Sequence, residues 1–513
     1  MGVYGPGRVA GGECGWDSFH GLLALLQALP GAAERRAPSN RPVVPMPIQL
    51  PTDLMVSVSG FRGVVGESVT PELVTGLGAA YGTFLREEGD RGKVVVGRDS
   101  RTSGPMLERA VVAGLLSAGC EVVELGIVPT PTLMLAVRDA DAAGGIAVTA
   151  SHNPAEWNAL KFAVRGGTFL PPGRMDRFRA RVRRLDPVRA PWDRVGQATR
   201  DEGAVDRHIA RILDLAFLDV DAIRARRIRV AVDCVNGAGA VIMPALLDRL
   251  GCRVHAIGME PDGRFFRDPE PTAANLGDLA ELVRASGAEI GFAVDPDADR
   301  LSLVDERGVP LGEDLTLALA ADVVLGRGGG CAVTNLSTSR ILDDVARAHG
   351  CRVVRAPVGE INVVVRMMDE GAVVGGEGNG GVILPALHHT RDAPVGAALL
   401  LQYLADSPGA TLSGRVGRLP SYHIVKDKVT FPRALLHDAY AALGRELPAG
   451  ERDDSDGMRL EWRREASWLH VRPSGTEPVV RLIAEAPEAA YARGLVERAR
   501  RTLAATAGVG SRA

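Results

Sequence analysis

The chain has 513 residues, of which 46% are hydrophobic and 24% are charged, and its formal net charge is −3. These values are ordinary for a globular protein, and at roughly 150 residues per domain the length predicts about three or four domains. The near-neutral charge argues against binding of nucleic acid through bulk positive charge. The six cysteines form no CxxC pair, so neither a disulfide framework nor a zinc site is indicated.

Residues 1–53 differ in composition from the rest of the chain. They are rich in glycine, proline and alanine, and five prolines lie between Ala37 and Pro51. Two interpretations stay open: a weakly ordered N-terminal extension, or an upstream start codon with Met46 or Met55 as the true start. No apolar run reaches the ~18 residues of a membrane span. We therefore predict no membrane partner and a cytoplasmic location.

Three segments, residues 94–126, 230–258 and 331–357, share one pattern of strand, polar turn, amphipathic helix, Gly-Cys and second strand. Such alternation predicts βαβ units and largely parallel sheets. From about residue 419 the pattern changes, which predicts a smaller α+β domain. We expect an N-terminal extension at residues 1–53, followed by four domains. The domain at 54–204 contains a serine loop, the one at 205–307 a metal loop, the one at 308–418 a sugar-binding loop and the one at 419–513 a phosphate-binding loop.

Each repeat continues to a further strand that ends in an unusual polar loop. The first loop carries Ser151, the second is Asp-Pro-Asp-Ala-Asp-Arg from Asp295, and the third carries Glu377 and Asn379. Ligand sites in open α/β sheets lie at the carboxyl ends of strands, so the three loops are predicted to face one shared cleft.

Asp295, Asp297 and Asp299 alternate along what we expect to be an extended segment, which places them on one side of it. A hard divalent cation such as Mg²⁺ would relieve their mutual repulsion. The alternative is an acidic surface turn, but the preceding strand is apolar. An EF-hand is rejected because loop position six is Arg300 and not the required glycine.

Two further loops carry candidate chemistry. Ser151 suits a nucleophile or a phosphoryl carrier, with an ST-turn as the alternative, and His152 suits a base or a structural role. Lys161 follows in a chain that has only four lysines, the others being Lys93, Lys426 and Lys428. Near the C-terminus, the hydroxyls and the arginine of Arg-Pro-Ser-Gly-Thr-Glu-Pro from Arg472 predict a phosphate site.

Seven segments, in this order, resemble the signature segments of the α-D-phosphohexomutase family: SVSGFRGVVGE from Ser57, TASHNP, DPEPTAANL, DPDADR, PVGE, GEGNGG and RPSGTEP. The resemblance runs from about residue 56 to the C-terminus. It implies three related α/β/α domains with mixed, largely parallel sheets and a smaller C-terminal α+β domain around a central cleft. It also implies an isomerase that interconverts hexose 6-phosphate and hexose 1-phosphate through a phosphoserine enzyme and a 1,6-bisphosphate intermediate.

The resemblance assigns a role to each candidate residue. Ser151 would be phosphorylated and, with Asp295, Asp297 and Asp299, would hold one Mg²⁺ per chain. The catalytic set would further comprise Arg62, Lys161, Arg300 and His152, and the substrate-binding set would comprise Glu360, Glu377, Asn379, Arg472, Ser474, Gly475, Thr476 and Arg481. The implied partner is a small sugar phosphate and not nucleic acid, with monomer and homodimer both open.

The sugar loop departs from the family pattern, because Asn379 and Gly381 stand where many members have Ser and His. His388 or His389 is a candidate substitute, with a structural role as the alternative. The Asn-Gly-Gly variant and Glu360 resemble the archaeal-type phosphoglucosamine mutase subgroup, and an anionic Glu360 would favour an amino sugar. Mannose or glucose phosphate stays an alternative substrate. More distant alternatives are a phosphoserine-type sugar phosphatase and a non-catalytic sugar-phosphate sensor.

Overall fold

The computed structural model of this chain describes residues 50–57, 60–184, 188–474 and 479–510. Residues 1–49 of the expected N-terminal extension lie outside the described residues. Within the described ranges, the strands form four sheets that follow one another along the chain. We find no helix in these ranges with the length and apolar content that a membrane crossing needs.

The first sheet has eight strands, in the order β1-β2-β6-β5-β3-β4-β8 with β7 paired to β6. These strands are β1 Met55–Ser57, β2 Gly60–Val64, β3 Val94–Arg98, β4 Val122–Ile127, β5 Gly144–Val148, β6 Trp157–Val164, β7 Thr168–Phe169 and β8 Ala198–Arg200. Its helices are α1 Pro71–Glu87, α2 Gly104–Ser117, α3 Thr130–Asp139, α4 Pro172–Arg184 and the short 3-10 helix Trp192–Arg194. Helix α1 begins after Thr70, whose hydroxyl accepts from the Leu73 amide, and Pro71 fits the first helical position.

The second sheet has the strand order β10-β9-β11-β12. Its strands are β9 Arg229–Asp233, β10 Arg253–Ile257, β11 Ile290–Val294 and β12 Leu301–Asp305. Its helices are α5 Ala204–Leu213, α6 Val220–Arg226, α7 Met243–Arg249 and α8 Gly277–Ser286, with short 3-10 helices at Ala238–Val241 and Ala273–Asn275. Strands β11 and β12 are buried along their whole length, as expected of a sheet that is covered on both faces.

The third sheet has the strand order β14-β13-β15-β16. Its strands are β13 Cys331–Asn335, β14 Arg352–Ala356, β15 Val374–Glu377 and β16 Gly381–Ile383. Its helices are α9 Glu313–Gly328, α10 Ile341–Ala348, α11 Glu360–Glu370, α12 Ala393–Ala405 and α13 Leu412–Val416. All 13 residues of α12 are buried, and the helix belongs to a core cluster that joins the second and third sheets.

The three sheets share one topology, which confirms the predicted repeats. In each, the first three strands of the repeat are parallel and the fourth runs antiparallel beside the third. The matching sets are β4-β3-β5-β6, β10-β9-β11-β12 and β14-β13-β15-β16. The loop between the third and fourth strands is therefore equivalent in all three, and it is the loop that carries the candidate residues.

The fourth sheet is antiparallel throughout, with the strand order β17-β21-β20-β19-β18. Its strands are β17 His423–Thr430, β18 Glu451–Asp453, β19 Met458–Trp462, β20 Ser467–Pro473 and β21 Val479–Ala486. Helices α14 Leu436–Glu446 and α15 Ala489–Gly510 accompany it, with a 3-10 helix at Arg433–Leu435. The predicted fold class, three related α/β domains and a smaller α+β domain, is confirmed.

Candidate active site

The three equivalent loops contact one another at the carboxyl ends of their strands. The Ser151 hydroxyl donates to Oδ2 of Asp295 at 2.8 Å, which joins the first loop to the second. The amide of Leu301, just after the second loop, donates to the carbonyl oxygen of Gly380 in the third at 3.0 Å. The repeats thus bring residues far apart in sequence into one polar site.

Ser151 has an unusual backbone conformation. Its φ of 50° lies in the left-handed region, which is uncommon for a residue other than glycine and is often found at functional sites. The Ser151 amide donates to Oγ1 of Thr149 at 2.9 Å, and Arg101 donates to the Ser151 carbonyl oxygen at 2.6 Å. These bonds hold the buried hydroxyl toward Asp295.

His152 and Arg62 flank the serine. The Nδ1 atom of His152 lies 3.5 Å from the Ser151 hydroxyl. The positive charge of Arg300, together with burial, lowers the pKa of His152, so the imidazole is neutral at pH 7. Arg62 donates to Oδ1 of Asn153, two residues after Ser151, at 2.6 Å. Both predicted residues therefore lie in the serine loop or directly against it.

Asp295, Asp297 and Asp299 are fully buried, and one carboxylate oxygen of each lies within 4.8 Å of the other two. The expected extended segment is wrong in detail. The loop turns at Ala298, whose φ is 50° and whose amide donates to the Asp295 carbonyl oxygen at 3.0 Å. This turn, and not simple alternation along a strand, makes the three carboxylates converge.

The three carboxylates have the donor atoms that a cation needs. Among the described residues, no group donates a hydrogen bond to Oδ1 of Asp297 or to Oδ1 of Asp299, although both atoms are buried. Burial, followed by the charges of Asp299 and Asp297, raises the pKa of Asp295 well above its ordinary value. A site with two unsatisfied buried carboxylate oxygens and an excess of negative charge fits a hard divalent cation.

Lys161 and Arg300 provide positive charge beside the acidic loop. Lys161 lies on β6, and its Nζ donates to Oδ2 of Asp297 at 2.8 Å and lies 3.9 Å from Oδ2 of Asp299. Although burial opposes it, the Lys161 ammonium holds the pKa of Asp297 below its ordinary value. Arg300 donates to Oε1 of Glu270 at 3.2 Å. Glu270 belongs to the DPEP segment but was not among the predicted site residues.

The sugar-loop residues form a network with a residue that the sequence analysis missed. Glu377 accepts a hydrogen bond from Asn335 at 2.9 Å, and Nδ2 of Asn379 lies 3.5 Å from Oε2 of Glu377. Arg391 donates to Glu377 at 2.9 Å and to Glu360 at 3.1 Å. The second oxygen of Glu360 accepts from the Arg391 amide at 3.0 Å, so both oxygens of Glu360 are occupied within the protein.

The basic residues of the fourth domain flank the predicted phosphate loop. Arg472 and Arg481 lie opposite each other on neighbouring strands β20 and β21. The amide of Ser474 donates to the carbonyl oxygen of Val479 at 2.8 Å, which brings the two ends of the loop together. Gly475 and Thr476, the other predicted residues of this loop, lie outside the described residues.

The two histidines considered as substitutes in the sugar loop have different surroundings. His388 is buried, and its Nε2 donates to Oδ2 of Asp392 at 2.7 Å. That ring nitrogen is therefore occupied within the protein, as in the structural alternative. His389 is half-buried, and burial lowers its pKa.

Four family descriptions match successive parts of the chain. They are phosphoglucomutase/phosphomannomutase alpha/beta/alpha domain I at residues 54–189, domain II at 206–308, domain III at 312–422 and the C-terminal domain at 428–502. The chain therefore belongs to the phosphoglucomutase/phosphomannomutase family.

Individual proteins agree with this assignment. A phosphoglucomutase/phosphomannomutase of Thermococcus kodakarensis is 40% identical over 446 residues, which are 85% of this chain and 96% of that protein. A probable phosphoglucosamine mutase of Methanopyrus kandleri is 39% identical over 441 residues, or 85% and 95% of the two chains. The crystal structure of a phosphoglucomutase/phosphomannomutase family protein from Burkholderia thailandensis is similar with a TM-score of 0.78 and 29% identity, covering 88% of this chain and 98% of that one. The chain is thus a phosphohexomutase, an isomerase, as predicted.

Proposed function

We propose that this phosphohexomutase carries its phosphoryl group on Ser151 and depends on Mg²⁺, with glucosamine phosphate as its favoured substrate. The observation that carries the proposal is the 2.8 Å hydrogen bond from the Ser151 hydroxyl to Asp295, beside two unsatisfied carboxylate oxygens. It joins a serine to the candidate cation site at the meeting point of two domains.

The residues that would hold the metal are Asp295, Asp297 and Asp299, together with an oxygen of phosphorylated Ser151. When bound, Mg²⁺ would neutralise charge on the transferring phosphoryl group. Arg62 and Arg300 would offset the charge on the equatorial phosphoryl oxygens. The neutral state of His152 avoids a further positive charge beside those arginines.

The reaction would proceed in two phosphoryl transfers. A free hydroxyl of the hexose monophosphate attacks the phosphorus on Ser151, the bond from phosphorus to the serine oxygen breaks, and a hexose 1,6-bisphosphate forms. This intermediate turns end for end and returns its other phosphoryl group to Ser151. Lys161 is the proposed proton carrier, since arginine stays charged and cannot fill this role. Closure of the site would exclude water and so protect phosphoserine from hydrolysis.

Substrate would be held at both ends. Glu377 and Asn379 are proposed to bind the sugar hydroxyls, while Arg472, Ser474 and Arg481, with Gly475 and Thr476, hold the phosphate that does not react. Glu360 and Glu377 share the positive charge of Arg391, and burial raises the pKa of Glu360 to about 7, so this carboxyl group is only partly ionised at neutral pH. The carboxyl groups of this pair support an amino sugar as the substrate. The names of the two similar archaeal proteins support glucosamine phosphate and mannose or glucose phosphate about equally, so the latter sugars form the second candidate.

The proposal is tested by assaying the purified protein with Mg²⁺ on the 6-phosphates of glucosamine, mannose and glucose in parallel. We expect isomerisation that added 1,6-bisphosphate stimulates, fastest with glucosamine phosphate. Equal rates on the three sugars would defeat the amino-sugar preference. Steady release of inorganic phosphate without isomerisation would point to a phosphatase, and tight binding without turnover would point to a sensor.

A further inference from the structure

The sequence left open which group replaces the histidine that many family members have at the position of Gly381. We propose that Arg391 takes the place of this histidine and acts as a positioning residue. It links the metal loop to the sugar loop, opposes cation binding and favours sugar-phosphate binding. This inference rests on the proposed function and adds a residue that was not predicted from the sequence.

The first argument is the bonding of the guanidinium of Arg391, a residue that is 7% exposed. Each of its nitrogens donates to a different carboxylate: Nε to Glu360 at 3.1 Å, NH1 to Glu377 at 2.9 Å and NH2 to Asp299 at 2.6 Å. These acceptors belong to the start of helix α11, the sugar loop and the metal loop. One rigid planar group therefore joins the third domain to the second.

The second argument is that the backbone of Arg391 is fixed. The next residue, Asp392, begins the buried helix α12 and accepts from the Val395 amide at 3.0 Å. Its Oδ2 atom also bonds Nε2 of His208 at 2.8 Å and Nε2 of His388 at 2.7 Å. Because Asp392 is held by two other segments, the guanidinium has little freedom to leave its three acceptors.

The third argument is steric. A Cβ atom built on Gly381 would lie 2.2 Å from Cδ and 2.8 Å from Cγ of Arg391, both far inside van der Waals contact. The arginine thus fills the space into which any side chain at 381 would begin. A histidine at 381 and this conformation of Arg391 exclude each other. The position of the Arg391 side chain therefore requires a glycine at 381.

The consequence for binding follows from how Asp299 is shared. Its Oδ2 atom accepts from Arg391, whereas its Oδ1 atom, 3.8 Å from Nε of Arg300, accepts no hydrogen bond from the described residues and so has capacity left for a cation. The charge of Arg391 therefore opposes a cation on the same carboxylate, while its bond to Glu377 orients the group that would bind the sugar. Removing the charge should strengthen cation binding and weaken sugar-phosphate binding.

The test measures Mg²⁺ binding by isothermal titration of the protein with MgCl₂ alone, and KM and kcat for the best substrate of the parallel assay. For Arg391→Met we expect Mg²⁺ to bind about tenfold more tightly and KM to rise about tenfold. For Arg391→Lys, which keeps the charge but not the three-way fork, Mg²⁺ affinity should stay within about twofold while KM still rises. If Arg391→Met does not fold, Arg391→Lys alone tests the inference, which then requires that KM rises while Mg²⁺ affinity is unchanged.

Arg459→Met is the matched control. Arg459 is a buried arginine that bonds Glu461 and the Leu336 carbonyl oxygen, and its loss should lower stability without changing Mg²⁺ affinity. The inference is overturned if Arg391→Met binds Mg²⁺ no more tightly than the unsubstituted protein. It is also overturned if Arg391→Lys both weakens Mg²⁺ binding and raises KM. Failure of the proposed function looks different, because the unsubstituted protein itself would then neither bind Mg²⁺ nor isomerise a sugar phosphate.

Discussion

Arg101 and Ser151 are linked through the backbone, because NH2 of Arg101 donates to the Ser151 carbonyl oxygen at 2.6 Å. The same nitrogen donates to the carbonyl oxygen of Asn153 at 2.6 Å, and Nε bonds Asp99 at 3.0 Å. The side chains of Arg101 and Asp99 are both fully buried. The conformation of the serine loop therefore depends on an ion pair that has no access to water.

Replacement of Arg101 by methionine should destabilise the protein strongly. The change leaves the buried carboxyl group of Asp99 without its ion-pair partner, and breaking a buried pair in this way costs about 3–5 kcal/mol. Denaturant unfolding of the two proteins measures the difference. Arg165→Met is the control, because Arg165 pairs with Asp141 at the surface, where solvent screens the pair and its contribution to stability is small. Similar losses in both variants would contradict the role given to Arg101.

Ser151→Ala should abolish turnover and remove the phosphoryl group from the purified protein. The hydroxyl is the proposed acceptor, and no other described hydroxyl bonds Asp295. Intact-mass analysis measures the phosphate, and the isomerase assay measures the turnover. Ser286→Ala, which removes a hydroxyl that bonds only its own helix, should keep both. Near-normal turnover of Ser151→Ala would show that the mechanism is wrong.

Added Mg²⁺ should raise the free energy of unfolding, and chelation by EDTA should stop isomerisation reversibly. A ligand that binds only the folded state stabilises it by about 2.7 kcal/mol at a concentration of 100 times its Kd. Asp297→Asn should lose most of this stabilisation, since it removes charge from one of the unsatisfied carboxylates. Thermal unfolding with and without MgCl₂ measures the effect. Asp278→Asn, on the first turn of helix α8, should respond to Mg²⁺ as the unsubstituted protein does.

Asp314 should make stability depend on pH. Burial raises the pKa of Asp314 to about 7, above the ordinary value of 3.8. Because the folded protein then binds this proton more tightly than the unfolded chain, the free energy of unfolding falls as pH rises from about 4 to about 7. Asp314→Asn keeps an oxygen that can accept from the Ser339 amide but removes the titration. Its stability relative to the unsubstituted protein should therefore increase across this window, by at most about 1.4 kcal/mol for each unit of pKa difference.

The measurement is denaturant unfolding of both proteins at several pH values between 4 and 8. Asp221→Asn serves as the comparison, because its carboxylate is almost fully exposed. A difference between Asp314→Asn and the unsubstituted protein that is constant across the pH range would contradict the raised pKa.

The sequence was sufficient to predict the elements whose signals are local. The repeated strand and helix patterns predicted three equivalent sheets, and polar runs after apolar strands predicted the loops of Ser151, Asp295 and Glu377. Contacts between distant segments could not be read in this way. Arg391 lies 92 positions from Asp299, and Arg101 lies 50 positions from Ser151. In a chain with so many arginines, no local pattern distinguishes a buried arginine that joins loops from an exposed one.

The left-handed backbone of Ser151 has a consequence for selection on stability alone. Glycine adopts this conformation without the steric penalty of about 1 kcal/mol or more that a side chain incurs. The protein therefore keeps a less favourable residue at the position where it needs a hydroxyl. A library screened only for thermal resistance should enrich Ser151→Gly, and the enriched proteins should be more robust but inactive.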